Sequence, residues 1–94
     1  MKIDFKRLPL TDIEGQRMAD EQGQQITVDI SKSLGNFIYN ETRDLGELEL
    51  AQQIYKYGEL ELSTKDIEVL GGYIKTAFKA VVQKAFNDIT GYGR

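Results

Sequence analysis

The chain has 94 residues and a net charge of −3, with neither cysteine nor histidine. That length accommodates one hydrophobic core, and the missing residue types close off disulfides, thiolate zinc sites, cysteine nucleophiles and the commonest general base. The negative balance gives no overall attraction to phosphate, and no apolar run reaches the length of a signal peptide or a membrane span, so a cytoplasmic protein away from membranes is expected.

In chain order, residues 2–8 alternate: Ile3 and Phe5 share one face while Lys2, Asp4 and Lys6 take the other, as a half-buried strand requires. Pro9 lacks an amide donor and marks a bulge, an edge or the strand's end. The stretch Glu14 to Gln25 is polar and carries two glycines, which predicts an exposed, mobile hairpin loop. Ile26, Val28 and Ile30 then alternate with Thr27 and Asp29 and predict a second strand, antiparallel to the first.

From Ser31 the apolar spacing changes to a helical one. Leu34, Phe37, Ile38 and Glu41 fall on one face of a first helix reaching Thr42, and Ser31 or Asp29 is placed to accept its free amides. Asp44 and Glu47 form a capping-box-like pair that opens a second helix. Its two adjacent stripes, Leu45, Leu48, Ala51, Tyr55 and Leu50, Ile54, Tyr57, predict a helix sandwiched between other elements. The pentapeptide Gly-Glu-Leu-Glu-Leu occurs at 46–50 and again at 58–62. The first copy continues with helical spacing, whereas the second lies between Gly58, a helix stop, and Ser63, a helix start, and predicts a short strand over 59–62.

Ser63 and Asp66 fit a capping box, and Ile67, Leu70, Ile74, Phe78, Val81, Ala85 and Ile89 predict one long core helix. Gly71 and Gly72 inside it imply a kink or a close approach by another backbone. Residues 91–94 read as a flexible tail. The expected fold is α+β: an N-terminal antiparallel hairpin, with a short third strand, packed on about three helices, in one domain spanning 1–90.

The long helix carries a second row, Val69, Tyr73, Thr76 and Ala80, outside the core stripe. This row either packs on the other helices of the same chain or forms an interface with a partner or a second copy. Tyr55 and Tyr57 cannot both face the core from one helix, so they join it as candidate interface residues. Lys75 and Lys79, with Arg17 in the loop, make the alternative case for nucleic acid, which the interspersed Glu68 and the net charge disfavour. Glu47 and Glu49, two apart on a helix, do not face each other, and Glu59 and Glu61 form only a like-charged pair on a short strand, so no catalytic, cofactor or metal residue is assigned.

The run Val28-Asp29-Ile30-Ser31-Lys32-Ser33-Leu34-Gly35-Asn36-Phe37-Ile38-Tyr39, followed by Asp44-Leu45-Gly46 and Leu50-Ala51-Gln52-Gln53-Ile54-Tyr55, resembles small uncharacterised proteins encoded by bacterial prophages. The resemblance covers residues 28–63 and implies a phage-related gene context, where such proteins serve as assembly factors or adaptors. It implies no catalytic or binding residue. The expected function is therefore a non-enzymatic interaction or assembly module, without a cofactor, that binds itself or a protein partner.

Overall fold

Alternation at the N-terminus produces a strand shorter than its pattern predicts. In the computed structural model, which describes residues 1–93, β1 (Lys2–Asp4) ends in a turn closed by the Arg7 amide on the Asp4 carbonyl at 3.2 Å. The chain then resumes as β2 (Leu8–Pro9), which pairs antiparallel with β3 (Thr27–Val28) and sets Leu8 opposite Val28. β1 takes a different partner, β4 (Glu59–Glu61), with Ile3 opposite Leu60. The second Gly-Glu-Leu-Glu-Leu copy is thus a strand, because Gly58 adopts φ +78° and turns the chain out of the preceding helix.

Phe5 joins these two small sheets. Its amide donates to the Gly58 carbonyl (2.8 Å), just before β4, and its carbonyl accepts from the Ile30 amide (2.9 Å), just beyond β3, so one residue is bonded to the flank of each sheet. Its fully buried ring stacks on Phe86 with centroids 6.3 Å apart. Ile3, Leu8 and Ile30 continue the same apolar cluster into the helices.

The polar stretch is exposed, and a hydrogen-bonded pattern runs through it. The amide of Leu10 donates to the carbonyl of Ile26, that of Ile26 to Met18, and that of Met18 back to Leu10, closing a ring of three at 2.9–3.1 Å. Two tight leaves project from this ring. In each, an aspartate side chain accepts two amides at 2.9 Å: Asp12 from Glu14 and Gln16, and Asp20 from Gln22 and Gln24. Gly15 and Gly23 supply the positive φ that each turn requires. The underlying signal, Asp-x-x-Gly-Gln at 12–16 and again at 20–24, is an eight-residue repeat that the strand-and-loop reading passes over.

The helices are α1 (Ser31–Glu41), α2 (Leu45–Tyr57), α3 (Thr64–Ala77) and α4 (Ala80–Thr90). At the start of α1 it is Asp29 that acts, accepting the Ser31 amide (3.0 Å) and hydroxyl (2.7 Å). Asp44 caps α2 through the amides of Gly46 and Glu47, but the Glu47 carboxylate turns away to Thr42 and Tyr73 and leaves the box half made. The Ser63–Asp66 box at α3 is complete.

Besides the expected hairpin, which the pairing of β1 with β4 and of β2 with β3 replaces, two expectations about the helices are corrected. The second helix is not sandwiched: α2 buries Ala51 and Ile54 against α1, while Leu45 is 80% exposed and Tyr57 58%. The long C-terminal helix is two helices. Phe78 and Lys79 leave the helical region with ψ near 159°, and the Gln83 side chain donates to the carbonyls of Phe78 (2.9 Å) and Lys75 (3.2 Å) at the end of α3. An unbroken helix over 64–90 would run about 40 Å. Breaking it folds α4 back so that Ala85 and Phe86 reach the core, and Val81, expected there, lies outside. The paired glycines are not the break: Gly71 admits the Tyr92 ring, and Gly72 faces open space.

Candidate functional site

The helix break separates the expected interface row. Tyr73 turns inward, meeting the Phe37 ring edge-on at 6.1 Å and donating its hydroxyl to Glu47 at 2.6 Å. That bond to the carboxylate holds the phenol protonated above its ordinary range. Val69 is half-buried and Thr76 is exposed on α3, whereas exposed Ala80 begins α4, so the four residues do not share one rod. Tyr55 and Tyr57 are both on the surface of α2, at roughly opposite flanks given about 100° per residue.

A different surface assembles around Tyr55. On α1, Lys32, Asn36 and Tyr39 recur at helical spacing along one flank. The antiparallel α2 sets Gln52, Tyr55 and Lys56 across from them, and Lys6 completes the rim from the β1–β2 turn. Between the walls lies an open groove of about 730 Å³ with Gly35 and Ala51 at its floor. The floor is low because the helices nearly touch there: a Cβ on Gly35 would stand 2.9 Å from the Ala51 carbonyl oxygen. Tyr39 and Tyr55 are 51% and 44% exposed, so each ring offers apolar area together with a polar tip.

The electrostatics of this groove oppose those of the whole chain. Among the described residues, three lysines line it and no carboxylate does. Asp29 lies close enough to Lys6 and Lys32 to feel both, but its carboxylate is turned to Ser31, whose hydroxyl and amide hold it below the ordinary aspartate range with the lysines adding to the effect. The groove suits an extended, anionic partner with apolar side chains.

The acidic residues singled out earlier are dispersed. Glu47 is tied to Thr42 and Tyr73, Glu59 to Lys2 (3.1 Å) and Glu61 to the Met1 ammonium, while Glu49 is exposed. Among the described residues no group of three acidic side chains is placed to hold a metal ion, and no helix is long and apolar enough to cross a membrane. Of the basic candidates, Lys75 lies near the end of α3, Lys79 in the α3–α4 break and Arg17 on the first leaf, beside Gln25.

No family model, curated protein or solved structure matches the chain. The groove's chemistry is therefore argued from its own residues. Sequence spacing alone missed Lys6, Lys32, Tyr39 and Lys56. The row Lys32, Asn36, Tyr39 is readable as a polar flank of α1, but nothing local announces that α2 lies opposite with two more groups of the same kind.

Proposed function

We propose that the protein is a non-enzymatic interaction module that binds a protein segment in the α1–α2 groove. The observation that carries the reading is the groove itself: tyrosines on both walls, three lysines on its rim and, among the described residues, no lining carboxylate, on a chain of net charge −3. Aromatic side chains that join apolar area to a hydrogen-bonding tip are the residues protein interfaces favour. A role as an assembly factor or adaptor in a phage-related context belongs to the same reading and rests on the resemblance over residues 28–63.

Selecting random peptides on the immobilised protein tests it. Enriched sequences are expected to place Asp or Glu on either side of an apolar residue, and Tyr39→Ser with Tyr55→Ser should weaken the best of them at least about tenfold, the scale of one interface anchor. Enrichment of peptides indifferent to both substitutions would remove the groove from the function.

The alternative is a small nucleic-acid-associated regulator. The exposed rings beside lysines favour it, because single strands bind by stacking and phosphate contacts. The acidic balance of the chain weighs against it. Fluorescence anisotropy with labelled oligothymidine at low salt separates the two: salt-sensitive binding supports the regulator, and a flat titration leaves the protein partner.

A further inference from the structure

The two leaves share a backbone but not their tips. At the first turn position after the capping aspartate, the second leaf carries Glu21 and the first carries Ile13, an apolar side chain that is 100% exposed. Asp12 and Glu14 flank it on a turn fixed by the two amides on Asp12. Over residues 10–25 there are four carboxylates against one guanidinium, a local net charge of −3. An isoleucine held between carboxylates is the complement of the α1–α2 groove, where lysines border two tyrosine rings above a floor of Gly35 and Ala51.

We infer that the groove's occupant is the first leaf of a second copy of this chain, with Ile13 seated between Tyr39 and Tyr55 and the leaf's carboxylates meeting Lys32 and Lys56. The inference rests on the groove reading above and names its partner. The leaf belongs to another part of the molecule from the groove: Thr11 at its base donates to Asp88 of α4 at 3.3 Å, and full exposure of Ile13 means that it does not fill its own groove. The contact is therefore heterologous, leaf to groove, and each copy that docks leaves one free groove and one free leaf. A rotation that closes gives a ring, and one that does not gives a filament.

Sedimentation velocity on the full chain and two variants tests this. Ile13→Asp removes the tip and keeps the groove; Lys32→Glu with Lys56→Glu reverses the groove and keeps the tip. All three positions are exposed, so the variants are expected to fold, which circular dichroism is to check. The unsubstituted chain is expected to grow beyond a dimer between about 10 μM and about 1 mM, and raised salt should weaken that growth about tenfold. Each variant alone should stay monomeric, and an equal mixture should stop at a heterodimer, because only one leaf and one groove remain intact between them.

A monomer at all concentrations and low salt would overturn the inference, as would variants that associate like the unsubstituted chain, or a mixture that stays monomeric. Peptide selection distinguishes the two levels. If groove-dependent peptides are recovered from a chain that never self-associates, the groove serves a foreign partner and only the self-docking falls. If neither occurs, the groove reading falls with it.

Discussion

At the scale of single residues, two glycines in neighbouring helices have opposite reasons to be there. A methyl on Gly35 would meet the Ala51 carbonyl oxygen and Tyr55 Cβ, each at 2.9 Å, and both atoms are anchored in α2. Overpacking of that kind costs about 1–3 kcal/mol, against about 1 kcal/mol returned by the better helix former. Gly35→Ala should therefore lower stability and spread the groove walls. A Cβ on Gly72 would meet no other group of the described residues within 4 Å, so Gly72→Ala should raise stability by about 1 kcal/mol. Urea denaturation of the two variants checks the contrast, and a shift in the same direction would refute the tight crossing of α1 and α2.

Asp29 makes a prediction in acid. Its carboxylate titrates below the ordinary aspartate value of 3.8 because the Ser31 hydroxyl and amide donate to it, with Lys6 and Lys32 adding attraction. A folded value below the unfolded one means that the contribution is complete above 3.8 and is lost as pH falls through the lowered value. Asp29→Asn keeps an acceptor oxygen but has no charge to lose, so its urea midpoint should fall less steeply below about pH 4 than that of the parent. Parallel curves would show that the titration there belongs to other groups.

At the scale of elements, what was legible is what is decided locally. Ser63 and Asp66 are three residues apart and cap α3 as their spacing predicts. Gly58 ends α2, and the two copies of Gly-Glu-Leu-Glu-Leu diverge into helix and strand as their flanks require. The break at Phe78–Lys79 was not legible, since the apolar period runs through it unbroken. The packing it serves is distant, since Phe86 reaches Phe5, whereas the Gln83 bonds to the carbonyls of Phe78 and Lys75 are local but leave no mark on the apolar period. The pairing of β1 with β4 rather than β3 is also non-local, for either partner suits the alternation of Ile3 and Phe5.

The same element predicts its own weak point. Gln83 supplies two hydrogen bonds to carbonyls that α3 leaves without helical partners. At about 1 kcal/mol net for each bond, Gln83→Ala should cost about 1–2 kcal/mol and lower the thermal midpoint by something on the order of 5–10 °C in a domain of this size. A variant melting with the parent would show that the break is held by packing alone. The leaves were hidden for a different reason: their repeat is plain in the residues, but its eight-residue period belongs to neither helix nor strand.

At the scale of the whole molecule, a body of 42 × 27 × 22 Å carries a local excess of carboxylates on the leaves and of lysines along the α1–α2 groove. The modest net charge concealed this division, because summing over the chain cancels the two regions. Half of the groove, the α1 flank, follows from helical period alone; the other half exists only once α2 has packed and the β1–β2 turn has brought Lys6 alongside.

The position of Phe5 bears on how such a body is made. Phe5 in the N-terminal strand region is completed by Ile30, Gly58 and Phe86, so part of its packing comes only with α4. A nascent polypeptide emerging from the ribosome carries that ring uncovered until α4 arrives, and contacts so distant along the chain are slow to form. Closure must therefore wait until α4 has cleared the exit tunnel.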